Sequence, residues 1–355
     1  MSTLFTQKLL KWNKRSNDRP MPWKNEKDPY KIWLSEIILQ QTRVEQGWSY
    51  YEKFVQTYPT IFDLAKAKDE KVFKLWEGLG YYNRCRNLLF TAREIVKLYE
   101  GIFPNTYENL LTLKGVGPYT AAAIASFAFN LPYAVVDGNV FRVFSRFYGI
   151  HTPIDTPNGI QEFNKIAANN LALKEAGIYN QSLMDFGATI CKPMAPLCSV
   201  CVMQNNCVAF AKQEVGQLPI KLKQIQKKNR YFDFFCFKYQ GKWLVQQRGE
   251  GDIWSGLYQF YLAEQPKMIK ANASLVKEIL EGQLSISPTL YKCVNPTEVY
   301  TQTLTHQQLS VRFFKVQLSK IPPCFTKAQW ISKASMAKLP FPKIINQFFK
   351  HEGLD

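Results

Sequence analysis

The pattern of apolar and polar positions divides the chain into a helical first part and a second part that contains strands. Up to about residue 210, apolar residues recur at helical spacing and predict helices over 29–44, 69–76, 86–99, 118–130 and 139–147. Beyond residue 230, the run Y-F-D-F-F-C-F-K-Y-Q-G-K-W-L-V-Q-Q-R predicts a β-hairpin around Gln240-Gly241, and a further strand is predicted near Val311. The chain is therefore expected to form an all-α domain followed by a smaller α+β domain.

A basic stretch separates the two patterns. Six basic residues lie between Lys212 and Arg230 against one acidic residue, Glu214, and Gly216 and Pro219 interrupt any periodicity. We therefore predict a helical domain over 1–211, a linker over 212–229 and a second domain over 230–355.

Composition and charge narrow the class of partner. The 355 residues include 45 Lys and Arg against 28 Asp and Glu, a formal net charge of +17 that suits a polyanion such as nucleic acid, although basic charge can also serve solubility alone. No apolar run approaches the roughly 20 residues that span a bilayer. The N-terminus lacks the apolar core and cleavage site of a signal peptide. A cytoplasmic monomer without a membrane partner is expected.

Four of the eight cysteines are clustered. Cys191, Cys198, Cys201 and Cys207 form the pattern C-x6-C-x2-C-x5-C, which indicates a metal site rather than disulfides in a chain without a secretion signal. Four thiolates can hold either a tetrahedral zinc ion or a [4Fe-4S] cluster. Zinc sites usually use two closely spaced cysteine pairs, and this loop has one. The spacing therefore favours the iron-sulfur cluster.

The stretch L-K-G-V-G-P-Y-T-A resembles an anion-binding turn. Gly115 and Gly117 allow positive φ and a close backbone approach, and Pro118 suits the first position of a helix. Such a turn directs backbone amides and the positive end of a helix dipole at a phosphate. A plain turn between two helices is the alternative. The full pattern L-x-G-V-G-x-x-T-A, with a helix on each side, favours the helix-hairpin-helix motif that grips DNA phosphates.

Two carboxylates have the placement that glycosidic-bond cleavage requires. Asp137 precedes a helix, whose dipole and free amides would keep the side chain ionised. Glu36 has aliphatic neighbours, which would raise its pKa so that it can donate a proton near pH 7. The alternatives are a simple helix cap for Asp137 and an ion pair with Lys31 or Arg43 for Glu36. Together the two match the pair of carboxyl groups of glycosidases, in which one donates a proton and the other acts on the cationic sugar.

The order of these motifs resembles a known superfamily. The chain is similar to the endonuclease III (helix-hairpin-helix) superfamily of DNA glycosylases in the order of four features: a helix with Glu36, then L-K-G-V-G-P-Y-T, then V-D-G-N-V, then the cysteine loop. Within this superfamily, the chain resembles the adenine glycosylase (MutY) family in the stretches W-L-S-E-I-I-L-Q-Q-T and G-L-G-Y-Y-N-R and in its extra C-terminal domain. The resemblance implies base excision repair of double-stranded DNA: adenine mispaired with 8-oxoguanine or guanine is extruded from the duplex and removed.

The resemblance also implies roles for matching positions. Glu36 would protonate adenine, Asp137 would stabilise the cationic sugar, and Asn139 would help to position groups there. The four cysteines would hold a [4Fe-4S] cluster. Other positions would contact DNA or border the adenine pocket, with the two helix arginines assigned on charge alone: Gln41, Tyr81, Arg84, Arg86, Gly115, Gly117 and Arg19.

The second domain resembles the MutT-like (Nudix-like) domain with which this family reads 8-oxoguanine. Leu304-Thr305-His306 stands where the family usually shows F-S-H, so Thr305 keeps the hydroxyl and His306 the imidazole, while Leu304 lacks the aromatic ring. An ordinary strand-end Thr-His pair is the alternative. The chain has no G-x5-E-x7-R-E-x2-E-E-x-G box. Without those metal-binding glutamates the domain is not expected to hydrolyse nucleotides.

Three other functions remain open, and particular features separate them. An endonuclease III-like enzyme for oxidised pyrimidines with lyase activity needs an amine nucleophile at position 119, which Tyr119 does not supply. A non-catalytic iron-sulfur DNA-binding protein would need neither Glu36 nor Asp137. A nucleotide hydrolase would need the missing glutamate box. A monofunctional adenine glycosylase with little or no lyase activity is therefore expected.

Overall fold

The computed structural model describes residues 3–223, 226–270, 272–293, 296–326 and 328–354. The chain forms two compact units: unit 1 comprises Met1–Ala67 and Arg86–Lys223, and unit 2 comprises Lys68–Cys85 and Gln224–Asp355. The predicted class, a helical domain followed by a domain rich in strands, is confirmed. None of the helices in the described part of the chain is both long and apolar enough to cross a membrane.

Unit 1 is helical, as the periodicity predicts. Its core gathers aromatic side chains from α1, α9, α10 and α11, including Phe5, Phe144, Phe163 and Phe186, all of which are almost completely buried. The α-helices between residues 3 and 223 are α1 (Leu4–Ser16), α2 (Pro29–Leu39), α3 (Val44–Thr57), α4 (Ile61–Lys66), α5 (Asp69–Trp76), α6 (Asn83–Leu98), α7 (Tyr107–Thr112), α8 (Pro118–Phe129), α9 (Gly138–Tyr148), α10 (Pro157–Asn170), α11 (Ala176–Thr189) and α12 (Val208–Ala211). Of these, α5 and the first residues of α6 belong to unit 2.

Helix α2 is shorter than predicted. It begins where expected, with Asp28 as N-cap and Pro29 in the first turn, but it ends at Leu39 rather than continuing to Val44. Gln41 adopts a left-handed φ of 58°, and the Thr42 amide donates to Leu39 O at 3.0 Å. This turn breaks the helix although the apolar periodicity continues across it.

Unit 2 contains a mixed sheet. Long strands β1 and β7 pair in parallel from Lys228↔Gln307 to Lys238↔Gln317, and antiparallel strands flank them. The predicted hairpin forms between β1 and β2, with positive φ at Gln240 and Gly241, and the predicted strand near Val311 is β7. The strands are β1 (Lys228–Tyr239), β2 (Lys242–Gln247), β3 (Tyr258–Gln259), β4 (Tyr261–Gln265), β5 (Tyr291–Cys293), β6 (Tyr300–Thr303), β7 (Gln307–Leu318) and β8 (Gln329–Ile331), and the helices are α13 (Ala273–Lys277), α14 (Lys333–Met336) and α15 (Lys343–His351).

The segment over 68–85 differs from the predicted division, because it belongs to unit 2. Lys74 Nζ donates to Leu339 O at 3.1 Å, and the Phe341 amide donates to Glu77 Oε1 at 2.8 Å. These bonds join α5 to the chain just before α15. A stretch within the predicted helical domain is thus held by residues more than 250 positions later.

The first part of the predicted linker is folded against unit 1. Leu218 is buried, and its carbonyl accepts from Arg146 Nε at 3.1 Å. The amides of Leu222 and Lys223 donate to the Asp155 carboxylate at 3.1 and 2.8 Å. Strand β1 already begins at Lys228. Hydrogen bonds to one buried arginine and one aspartate therefore order a segment that composition alone predicts to be a linker.

Candidate active site

Glu36 is a buried acid on α2. Only 6% of the residue is exposed, because the helix is apolar on almost every face. Burial, with the charge of Asp137 as a smaller contribution, raises the pKa of Glu36 to about 7, against a hydrogen bond with Tyr119 that lowers it. Lys31 pairs instead with Glu26, at 3.5 Å. A carboxyl with this pKa is partly protonated at neutral pH and can donate a proton.

A small cavity of about 80 Å³ opens beside Glu36. Its walls include the ring of Trp23, the Lys24 side chain, Phe127 from α8 and Gln181 from α11. An aromatic wall and a few polar groups around an acid are typical of a site for a planar base. Sequence reasoning missed Trp23 and Gln181, which come from segments that carry no recognisable motif.

Arg19 lies behind this cavity rather than on its wall. Its Nη1 donates to Asp185 Oδ1 at 2.9 Å, and Gln181 Nε2 donates to the same oxygen at 2.9 Å. Asp185 is fully buried. The prediction that Arg19 borders the pocket is therefore corrected: Arg19 holds the carboxylate that orients Gln181. A charged residue flanked by Leu183, Met184 and Phe186 on α11 is the signal that could have located this pair.

Tyr119 is the second residue of α8, after the Gly117 N-cap and Pro118. Its hydroxyl hydrogen-bonds to Glu36 and lies 3.6 Å from Met184 Sδ. Burial and the nearby carboxylates raise the pKa of Tyr119 well above its usual value. The side chain is thus a neutral phenol next to the acid.

Asp137 is the N-cap of α9, as the sequence predicts. Its Oδ1 accepts from the Val140 amide at 2.8 Å, and its Oδ2 accepts from Asn139 Nδ2 at 2.7 Å. Burial raises the pKa of Asp137, and these hydrogen bonds and Arg142 lower it; the net direction is upward. The helix dipole and the free amides were expected to keep Asp137 ionised, whereas burial makes the largest contribution and raises its pKa.

Arg142 links this acid to the cysteine loop. Its guanidinium donates to Asn139 Oδ1 at 2.8 Å, to Gly187 O at 2.7 Å and to Cys191 O at 2.7 Å. Sequence reasoning did not select Arg142. Its signal is the pair of arginines one turn apart, at 142 and 146, on a helix whose other buried positions are mostly apolar.

The four clustered cysteines line one cavity. Arg146 borders it, and its Nη1 lies 3.4 Å from Cys191 Sγ. Burial and, to a smaller extent, the neighbouring cysteines raise the pKa of Cys201 to about 11, against a backbone hydrogen bond at Met203 that lowers it. Among the described residues, no three His, Cys, Asp or Glu side chains are grouped to hold a single metal ion. Four thiols around one cavity are a donor set that fits a multi-iron cluster, whose ligands stand farther apart than those of one ion.

The predicted phosphate grip has one left-handed glycine. Gly115 has φ 82°, and a Cβ there would lie 2.8 Å from Asn87 Cβ. Gly117 has φ −91° and ψ 179°, which any residue can adopt. The expectation that both glycines allow positive φ is therefore wrong for Gly117. Both are exposed at the start of α8.

Gln41 and Tyr81, which were predicted to contact DNA, are exposed on left-handed turns, with φ 58° and φ 49°. Arg84 is buried, and its Nη2 donates to Gly80 O at 3.2 Å, so this placement supports the turn rather than a phosphate contact. Arg86 is half-buried on α6.

Unit 2 contains its own cavity, of about 370 Å³, which we call the reader pocket. Thr305 and His306, in the turn between β6 and β7, line it together with Tyr81. The Tyr81 and Thr305 hydroxyls form a hydrogen bond. The reader pocket is bounded by residues 78–83, 252–255, 302–307 and 343.

Two family models match the chain. Residues 34–168 match the HhH-GPD superfamily of base excision DNA repair proteins, and residues 234–351 match the NUDIX domain. The first covers the helices that carry Glu36, Tyr119 and Asp137.

Individual relatives give the same picture. An adenine DNA glycosylase of Buchnera aphidicola subsp. Baizongia pistaciae is 33% identical over 90% of this chain and 88% of its own. A second adenine DNA glycosylase, from Buchnera aphidicola subsp. Acyrthosiphon pisum, is 34% identical over 72% of this chain and 73% of its own. A solved thermostable thymine-DNA glycosylase superimposes with a TM-score of 0.54 at 31% identity, covering 59% of this chain and 95% of its own. The chain belongs to the adenine DNA glycosylase (MutY) family, a family of DNA glycosylases within the HhH-GPD superfamily.

Proposed function

We propose that this protein hydrolyses the N-glycosidic bond of adenine mispaired with 8-oxoguanine or guanine in duplex DNA. The pairing of Glu36, whose pKa is raised to about 7, with the anchored carboxylate of Asp137 carries this proposal. The family membership supports it, since the relatives are adenine DNA glycosylases. Such a substrate implies a cytoplasmic protein associated with nucleoid DNA.

The chemistry uses the two carboxyls in different roles. Glu36 gives its proton to a ring nitrogen of the extruded adenine, so that the bond between the sugar and the base breaks and the electron pair leaves with the base. Asp137 stabilises the cationic sugar, and its hydrogen bonds to Val140 and Asn139 fix it in place. Water then adds to the cationic sugar and loses one proton to the ionised Glu36, which restores the acid and leaves an abasic site and free adenine.

The reaction stops at the abasic site. A lyase step needs an amine that attacks the sugar, and Tyr119 presents a phenol beside Glu36. Gln181, oriented by Asp185, and the ring of Trp23 provide the walls that receive adenine.

The duplex is held by features on the surface of each unit. The Gly115 turn and the start of α8 offer amides to a phosphate, and the net charge of +17 supports backbone binding. Gln41 and Tyr81 are exposed on sharp turns, a placement that suits insertion beside the mispair. Thr305 and His306 in the reader pocket recognise 8-oxoguanine.

The cysteine loop holds a [4Fe-4S] cluster in this proposal, through Cys191, Cys198, Cys201 and Cys207. When bound, the cluster would place its iron atoms among the four thiolates, with the thiolates as their ligands, and would supply a centre capable of redox change. Anaerobically purified protein should be brown with four irons per chain. One zinc ion per chain instead would overturn this assignment.

The decisive experiment is a glycosylase assay on a panel of duplexes, with and without alkali. Adenine opposite 8-oxoguanine or guanine should be released, and strands should break only after alkali. Glu36→Gln and Asp137→Asn should each slow single-turnover release by at least about a hundredfold, because each removes a group that acts in the transition state. Glu45→Gln, at an exposed carboxylate on α3, is the matched control and should act like the wild type. Release of oxidised pyrimidines with strand cleavage would contradict the proposal.

A further inference from the structure

One wall of the reader pocket is held by a single arginine. Arg230 lies at the start of β1 and is 9% exposed. Its Nε and Nη2 donate to the two carboxylate oxygens of Glu264 at 2.7 and 2.6 Å. Its Nη1 and Nη2 donate to the two oxygens of Asp252 at 2.6 and 2.7 Å. A fifth bond runs from Nη1 to Gln307 Oε1 at 3.2 Å. These bonds account for all five N–H donors of a guanidinium.

Two partners of Arg230 line the reader pocket. Asp252 belongs to the lining segment over 252–255, and Gln307 ends the turn that carries Thr305 and His306. Glu264 lies on β4, next to β1 in the sheet. Arg230 therefore fixes the position of one wall relative to the other and ties both to the sheet.

A second arginine stiffens the loop without reaching the turn. Arg248 pairs with Asp252, and it donates to Ile253 O at 2.7 Å and to Gln259 Oε1 at 2.7 Å. Burial alone would raise the pKa of Asp252, but Arg230 and Arg248 hold it far below its usual value. Asp252 is thus ionised at neutral pH and accepts hydrogen bonds from both arginines.

We infer that Arg230 is a positioning residue for lesion recognition: it sets the spacing of the reader pocket and through it the preference for 8-oxoguanine over guanine. This inference rests on the proposed reading of 8-oxoguanine by that pocket. The two bases differ only at N7 and C8, where 8-oxoguanine carries an N–H donor and an extra oxygen. A difference of two polar atoms is distinguished only by partners held at fixed distances.

Lysine cannot replace this arginine. An ammonium is a point charge with three donors and no planar fork, so it cannot bind Asp252 and Glu264 in bidentate fashion and Gln307 as well. Arg230→Lys keeps the charge and removes the bridge. A change in binding by Arg230→Lys therefore reports the position of the pocket walls and not the charge of the pocket.

The same sheet offers a matched control. Arg312 on β7 forms a bidentate pair with Asp233 on β1 at 2.8 and 2.9 Å, and both residues are buried. Neither residue lines the reader pocket. Arg312→Lys should destabilise unit 2 by a similar route while leaving the pocket walls in place.

The test measures the ratio of dissociation constants for duplexes with guanine and with 8-oxoguanine opposite uncleavable 2′-fluoro-adenosine, together with thermal unfolding. Arg230→Lys should lower this ratio by at least about tenfold, and Arg312→Lys should change it by less than about twofold at comparable loss of stability. Asp252→Asn weakens the hydrogen bonds of Arg230 by removing the charge of its partner, so it should also lower the ratio. This variant replaces Arg230→Lys as the test if Arg230→Lys does not fold.

Two results would overturn the inference: an unchanged ratio in folded Arg230→Lys or Asp252→Asn, or an equal loss in Arg312→Lys. A wild-type ratio near one would instead contradict the proposed reading of 8-oxoguanine itself. The wild type therefore tests the function, and the comparison of the two arginines tests the role of Arg230.

Discussion

At the scale of single residues, sequence reasoning located the acids but not the side chains that surround them. Glu36 and Asp137 are recognisable because a carboxylate in an apolar helix and one before a helix start are unusual in themselves. Gln181 reaches the cavity because α11 packs against α8 and α8 packs against α2, and Trp23 reaches it from the segment before α2; no local pattern states either placement. Arg84 shows the reverse error, since charge indicated a DNA contact and the structure buries the side chain.

The buried acid should weaken the fold at neutral pH. The pKa of Glu36 is about 7 in the folded chain against 4.5 for an unperturbed Glu, so the folded state binds this proton more tightly. The free energy of unfolding contributed by the group is therefore greatest below about pH 4.5, falls as pH rises to about 7 and stays low above it. At about 1.4 kcal/mol per pKa unit, the loss is about 3 kcal/mol.

Glu36→Gln removes this titration. We expect the variant to be more stable than the wild type at pH 8, by up to about 3 kcal/mol, and the difference to shrink toward pH 5. Denaturant unfolding at both pH values measures it. Glu45→Gln again serves as the exposed control. Equal stability of Glu36→Gln and the wild type at pH 8 would show that the carboxylate is not buried in the way described.

At the scale of elements, regular helices and the hairpin followed from the sequence, whereas their ends often did not. Periodicity predicted α5 at its observed bounds and α8 and α9 to within a residue or so at each end. It extended α2 beyond Leu39, because propensity does not encode the left-handed turn at Gln41. The sequence predicted only one of the two roles of α9. It placed Asp137 before the first residues of this helix, but it did not indicate that the arginines of α9 hold the cysteine loop.

The turn before α8 gives a prediction with an internal control. Gly115→Ala should lower the free energy of unfolding by about 1–2 kcal/mol, since φ is 82° and the new Cβ would lie 2.8 Å from Asn87 Cβ. Its affinity for duplex DNA should fall about tenfold, because the amides of this turn would be displaced.

Gly117→Ala is the control, since its φ is −91° and nothing lies within 4 Å of the added carbon. Its stability should match the wild type, so that any change in its DNA affinity reports close approach of the backbone. Chemical denaturation and a binding titration at fixed salt check both variants. Equal stability of the two alanine variants would contradict the strained turn.

At the scale of the whole molecule, the two predicted domains are not two consecutive pieces of chain. Composition and periodicity identified a helical part and a strand-rich part, and both exist. They could not show that 68–85 belongs with the later part, because the bonds from Lys74 and Glu77 to the chain near residue 340 are long-range. Nor could they show that Asp155 and Arg146 order the segment up to Lys223.

Truncation after Lys223 should therefore damage more than the C-terminal domain. The shortened chain keeps Glu36, Tyr119 and Asp137, so we expect it to release adenine opposite guanine slowly but to lose its preference for 8-oxoguanine. Residues 68–85 lose the partners that hold them, so limited proteolysis should cut there first. The full-length protein is the control. Protection of 68–85 in the shortened chain would contradict the assignment of this segment to unit 2.

The reader pocket also has a consequence for the order in which the protein is made. Its first wall, at Gly78–Asn83, is synthesised early, but its last contributor is Lys343, only 12 residues before the end of the 355-residue chain. Glu36, Tyr119 and Asp137 have left the ribosome about 200 residues before that point. In the proposed function, a chain that is still being translated therefore contains Glu36, Tyr119 and Asp137 before the pocket that would read 8-oxoguanine is complete. A premature stop between Asp137 and Lys343 would keep the proposed catalytic groups and remove part of the proposed recognition site.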